Sequence, residues 1–180
     1  YSWDGDANLA KVTVTQTQAQ NNESKELFDL KISISELQDL SAKLGSDCPF
    51  FVTNTPQLAL GRGELLSPIK LDLSDFFIKL VFPPIHISTK VAFSGVHISG
   101  DCGYLPTQVQ EPIELWQKSI KNDFEHHIFK EFPVLSHFKE NFLKEGAIYT
   151  SMSGSGSTIF GIFKEKPLEE DGIVVRLKME

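Results

Sequence analysis

Lys11-Val12-Thr13-Val14-Thr15-Gln16-Thr17-Gln18 alternates β-branched and polar residues without a break, the period of a strand with one face in solvent. The polar run that follows over 18–24, QAQNNES, reads as a linker. From Leu27 the texture becomes denser and more apolar. Ser35-Glu36-Leu37-Gln38 has the spacing of a capping box, and Leu37, Leu40 and Leu44 then share one face of a short helix stopping at Gly45. Phe76 to Phe82 (FFIKLVF) is too apolar for a surface strand and predicts a central one, ended by Pro83-Pro84. Residues 112–129 set Trp116, Ile120, Phe124 and Ile128 at steps of four, which predicts one amphipathic helix. Val134, Leu135, Phe138 and Phe142 predict another, closed by Gly146. Ala147–Met152 and Thr158–Phe163 read as two strands joined by the tight turn Ser153–Ser157, and Ile173–Leu177 as a last strand. Strands separated by helix pairs predict an α+β class: a sandwich with helices on one face of a largely antiparallel sheet.

Charge and composition narrow the function classes. With 17 Lys+Arg against 24 Asp+Glu the 180-residue chain carries a net charge of −7. Without a basic run it is a poor partner for nucleic acid or an anionic membrane, since both require phosphates to be neutralised. No stretch approaches the ~18–20 uninterrupted apolar residues of a membrane span. The start, Tyr1-Ser2-Trp3-Asp4-Gly5, shows neither a basic segment nor an apolar signal core, and it is not Met. Cys48 and Cys102 have no C-x-x-C spacing, which excludes a disulfide scaffold, a zinc knuckle and a thioredoxin-type site. They read as free thiols in a reducing, cytoplasmic compartment. The five histidines lack metal-site framing, so no metal ligand is expected.

Three segments could carry chemistry. In Leu44-Gly45-Ser46-Asp47-Cys48-Pro49-Phe50-Phe51 a carboxylate follows a helix at an apolar junction, where it could take a proton from a hydroxyl nucleophile. The plainer alternative is that Asp47 caps a following short helix with Pro49 in its first turn. In Met152-Ser153-Gly154-Ser155-Gly156-Ser157 small residues let backbone amides approach an anion. No Gly-Lys-Ser/Thr follows, and Ile159 stands at the third glycine position of a dinucleotide fingerprint, so a plain strand-to-strand turn remains open. The proline-stiffened loop Phe82–Thr89, with Phe93 beyond it, could line a pocket and stack on a ring, or Phe93 could be core.

Together with Ala59-Leu60-Gly61-Arg62-Gly63-Glu64 and Asn122-Asp123-Phe124-Glu125 these segments form an ordered set. Over about residues 26–180, their order and spacing resemble the C-terminal portion of the 4-diphosphocytidyl-2-C-methyl-D-erythritol kinases, within the GHMP kinase superfamily, in the Bacteroidetes-type form. The resemblance implies a two-domain kinase that passes the γ-phosphoryl group of ATP, with Mg2+, to a hydroxyl of a cytidylylated methylerythritol, in non-mevalonate isoprenoid synthesis. It maps the catalytic base onto Asp47, the ATP-phosphate segment onto Ser153, Gly154, Ser155 and Gly156, and substrate contacts onto Phe93 and Thr89. It divides the chain into an unplaced strand and linker (1–25), a remnant of the N-terminal kinase domain carrying Asp47 (26–63) and the C-terminal domain (64–180).

The family's principal phosphate loop, of the type P-x-G-x-G-L-G-G-G-S-S-A, its early catalytic Lys and its aromatic-His pair find no counterpart in this sequence. The resemblance therefore implies an isolated chain that is inactive or nearly so, with an apolar face where the absent half packs, and homodimerisation or association with that half as a corollary. Two other readings stay open: a non-catalytic α+β module binding a small molecule or a partner, and a GHMP kinase for another small alcohol.

Overall fold

A computed structural model of the chain describes residues 11–12, 32–53, 55–96 and 104–178. The strand expected over 13–18, the linker at 18–24 and Cys102 lie outside the described residues. The chain divides into two compact units, Tyr1–Lys70 and Leu71–Glu180.

In the first unit β1 (Lys11–Val12), β2 (Gln57–Leu60) and β3 (Leu65–Pro68) form an antiparallel sheet in the order β1-β2-β3. Before β2 come α1 (Ile34–Ala42) and the single turn α2 (Phe50–Thr53). The capping box sits two residues earlier than the spacing at Ser35 suggests. Ser33 Oγ accepts from the Glu36 amide at 3.2 Å, and Glu36 Oε2 accepts from the Ser33 amide at 2.8 Å. Two S-x-x-E/Q frames overlap here; the earlier one presents a charged acceptor, which bonds more strongly than the neutral amide of Gln38. Those bonds from the Ser33 backbone and hydroxyl hold the Glu36 carboxyl below its usual range. The apolar stripe of α1 forms as the spacing predicts, yet none of its residues is buried, and Leu44 just beyond it is 85% exposed.

The second unit is built on a four-stranded antiparallel sheet in the order β5-β6-β4-β7. Its strands are β4 (Phe77–Val81), β5 (Tyr149–Met152), β6 (Ile159–Phe163) and β7 (Ile173–Arg176). The FFIKLVF run is central, as its composition requires, flanked by β6 and β7. The helices are α3 (Thr89–Ser94), α4 (Leu105–Gln108), α5 (Ile113–Ser119), α6 (Glu125–Glu131) and α7 (Val134–Lys144). Val81, Met152, Ile159 and Phe163 share one sheet face and pack with Ile128 of α6, Leu135 and Phe142 of α7, and Ala92 of α3. Lys79 lies on that face at 2% exposure; its ammonium is held by Glu145 Oε2 at 2.7 Å and stands over the Phe142 ring. Replacing water around that charge with a carboxylate and an aromatic face is what makes its burial tolerable.

The single helix expected over 112–129 is two helices, α5 and α6. Ile120 turns extended, and Asn122 Oδ1 accepts from the Phe124 amide at 3.0 Å, a local turn that competes with helix. The Asn122 side chain is also bonded to distant backbone. Those tertiary bonds outweigh the helical period of Trp116, Ile120, Phe124 and Ile128. The outer edge of β5 is closed by the segments around this break. Gln117 Oε1 accepts from the Thr150 amide at 2.9 Å and Glu125 Oε1 from the Met152 amide at 2.7 Å. An edge strand so covered offers no template for pairing with another chain. Tyr149 packs edge-on against Trp116, and burial pushes its phenol up to about 12, with the Ser151 hydrogen bond opposing and the nearby Glu125 charge adding.

Candidate active site

Asp47 lies in the run of turns at 46–49 that follows α1, and it is exposed. The backbone there is tight: the Cys48 amide donates to Gly45 O, and the Phe51 and Val52 amides to Cys48 O and Pro49 O. Phe50 anchors the segment by burial and meets Phe51 edge-on. The β2–β3 turn passes directly against Asp47. Gly63 has φ +117°, and a Cβ at that position would collide with Asp47 Oδ1. Two of the motifs read from the sequence, L-G-S-D-C-P-F-F and A-L-G-R-G-E, thus meet in the first unit at one carboxylate. Gly63→Ala is expected to cost about 1–3 kcal/mol, from a disfavoured backbone conformation and the displaced carboxylate. Urea unfolding checks this; an unchanged midpoint would contradict the contact.

In the second unit the remaining motifs converge. Ser153–Gly156 form the turn between β5 and β6, closed by the Ser153 amide on Thr158 O at 2.8 Å and the Gly156 amide on Ser153 O at 3.0 Å. Among the described residues no acceptor stands against the amides of Gly154 and Ser155. Gly154 has φ +54°, and a Cβ there would meet nothing within 4 Å, so this side of the turn is open. Gly156 is the closed side: a Cβ would stand 2.8 Å from Met152 Sδ and 2.9 Å from Ile87 Cδ1. Ile87 belongs to the proline-stiffened loop, and Ser157 Oγ ties the turn to it again by donating to Pro83 O at 3.1 Å.

That loop leads into α3, capped by Ser88, whose hydroxyl accepts from the Val91 amide at 3.2 Å. Thr89 is the first helical residue and is exposed. Phe93 is 44% exposed, and its ring rests edge-on against Phe124 at 4.9 Å between centroids. The aromatic is therefore a half-open platform backed by a second ring, not core.

Residues 108–172 match the family model described as GHMP kinases C terminal. These residues carry the fold of a GHMP kinase C-terminal domain. The 4-diphosphocytidyl-2-C-methyl-D-erythritol kinase of Cytophaga hutchinsonii is 41% identical over 143 residues, which cover 79% of this chain and 53% of the relative. The enzyme of the same name from Porphyromonas gingivalis is 41% identical over 145 residues, covering 79% and 53%. The chain spans about half the length of these curated relatives. A crystal structure of a 4-(cytidine 5'-diphospho)-2C-methyl-D-erythritol kinase superposes with a TM-score of 0.58 at 26% identity, over 76% of this chain and 50% of that one. A homoserine kinase structure from Cytophaga hutchinsonii gives the same TM-score at 15% identity, over 78% and 51%, which speaks to the fold alone. The family read from the ordered motifs, and its Bacteroidetes-type form, are those of the relatives found.

Within the second unit the residues that sequence reasoning left without a role are Asn122, Glu125 and Gln117. Glu125 Oε1 accepts from Ser151 Oγ at 2.8 Å and from the Met152 amide, while Oε2 takes the Lys139 ammonium at 2.5 Å. The signal was present in N-D-F-E as a polar interruption of an apolar period, but its partners lie 14 to 32 residues away in sequence. Among the described residues no group of three His, Cys, Asp or Glu is placed to hold a metal ion, and no helix is long and apolar enough to cross a membrane.

Proposed function

We propose that this chain supplies the catalytic base and part of the nucleotide and substrate sites of a cytoplasmic kinase. The reaction transfers the γ-phosphoryl group of ATP to a hydroxyl of 4-diphosphocytidyl-2-C-methyl-D-erythritol, in non-mevalonate isoprenoid precursor synthesis. Asp47, in the remnant of the N-terminal domain (26–63), takes the proton of the attacking hydroxyl. In the C-terminal domain (64–180) the Ser153–Gly156 turn offers its amides to the ATP phosphates, and Phe93 with Thr89 contacts the cytidylylated substrate. Mg2+ arriving with the nucleotide would neutralise phosphate charge.

The observation that carries the reading is the open turn, with two amides unspent at Gly154 and Ser155, tied to the loop that leads to a half-exposed aromatic. Phosphoryl transfer asks the protein for positioning and for donors to phosphate oxygens, with one carboxylate to orient the nucleophile. The named substrate of the 41%-identical relatives supports the cytidylylated alcohol over other alcohols. Residues 1–25 have no role in this account, and a homodimer or a separate N-terminal half is the expected partner.

A GHMP kinase for another alcohol is the second reading, because a fold that a homoserine kinase shares does not by itself select the alcohol. Saturation-transfer NMR on the chain separates the two. Cytidine 5'-diphosphate is expected to receive signal on its cytosine protons and to lose it in Phe93→Ala, with homoserine unable to displace it. Displacement by homoserine, or cytosine signal indifferent to Phe93, would contradict the cytidylylated substrate.

A further inference from the structure

The Asn122 carboxamide is fully used by the turn and by its own helix entry. Its Nδ2 donates to Met152 O at 2.7 Å and to Gly154 O at 2.8 Å, while its Oδ1 accepts from the Phe124 amide. The orientation of the amide follows from its partners, two carbonyls on one side and an N–H on the other. Met152 ends β5, where its carbonyl also lies 3.4 Å from Ser151 Oγ, and Gly154 has left the strand at positive φ. One side chain thus gathers two carbonyl oxygens to the interior side of the turn. The amides of Gly154 and Ser155 are left unspent, and the space beside Gly154 is open. A turn of this composition, with two glycines in four residues, would otherwise sample many conformations.

We infer that Asn122 is a positioning residue for nucleotide phosphate, holding the Gly154 and Ser155 amides toward the anion by clamping the carbonyls of Met152 and Gly154. The inference rests on the reading of this turn as the ATP-phosphate segment, and it assigns to the N-D-F-E motif a part in the site. Ser157 is the second anchor, through Pro83 O, and fixes the far end of the turn. In this role Asn122 acts through the backbone it holds.

Amide NMR of the whole chain titrated with Mg-ATP tests this. Asn122→Asp keeps an oxygen to accept from the Phe124 amide and removes both donors. Asn122→Ala removes the donors without adding a charge, which guards against simple repulsion of the anion. In the wild-type chain Mg-ATP is expected to shift the Gly154 and Ser155 amides. In both variants the apparent affinity is expected to fall about tenfold, the size of one to two hydrogen bonds, with the core amides of Ile128 and Phe142 unmoved. Equal affinity in wild type and both variants would overturn the role of Asn122 while leaving the phosphate reading in place. No shift at Gly154 and Ser155 in the wild-type chain would overturn that reading and this inference with it. Loss in Asn122→Asp alone would mark charge repulsion and overturn the positioning role.

Discussion

Glu125→Ala is expected to destabilise the second unit by about 3 kcal/mol, toward the low end of what breaking a buried ion pair costs. The carboxylate is only 12% exposed and serves three donors: the Lys139 ammonium, the Ser151 hydroxyl and the Met152 amide. Removing it strands all three. Lys139, 19% exposed and near the Phe129 ring, recovers part of its hydration by swinging outward, which is why the upper end of the range is not reached. The Met152 amide has no such freedom, since it is fixed in β5 by pairing with Ile159. A unit of this size should lose roughly 10–15 °C in its thermal midpoint for such a change. Glu125→Gln should lose less, because its oxygen still accepts from Ser151 and Met152, while its amide nitrogen faces the Lys139 ammonium donor to donor. A shift within about 0.5 kcal/mol for Glu125→Ala, the scale of ordinary surface changes, would show that water replaces the carboxylate at no cost.

Asp47→Asn is expected to lower turnover about 10²- to 10⁴-fold in a protein that contains both halves of the kinase, the range of a lost general base. The substitution is nearly isosteric, keeps an oxygen beside Gly63, and removes only the capacity to take a proton. KM for ATP and for the cytidylylated alcohol should stay within a few-fold, since the carboxylate acts on the hydroxyl as charge develops and not on ground-state binding. Steady-state ADP release by wild type and variant, with thermal midpoints beside it, checks the split. A variant with undiminished kcat and a lowered midpoint would mean that Asp47 is a structural cap.

Much of the second unit was legible because its signals are local. A seven-residue run with six apolar residues, ended by two prolines, has few options besides a central strand, and β4 is one. The strand-turn-strand over 147–163 and α7 follow directly from their periods. The helix break at 120–124 was not legible, since the steps of four argue for continuity and the competing bonds from Asn122 reach Met152 and Gly154 far along the chain. The capping box fell between two overlapping frames that differ only in a charge on the acceptor. The openness of Phe93 was not legible either: composition favours burial for a Phe, whereas the ring lies on Phe124 with its other side free to solvent. The approach of Gly63 to Asp47 needed the fold, because nothing in A-L-G-R-G-E names the carboxylate it passes.

Following the phosphoryl group itself separates a kinase from a module that only binds. This chain, joined behind the N-terminal half of the Cytophaga hutchinsonii relative, would be given Mg-ATP and 4-diphosphocytidyl-2-C-methyl-D-erythritol and followed by 31P NMR. A new phosphomonoester resonance is expected to grow in step with ADP, and Asp47→Asn to suppress both. A folded joined protein that forms no phosphomonoester, or that releases the γ-phosphate only as inorganic phosphate, would contradict the proposed function.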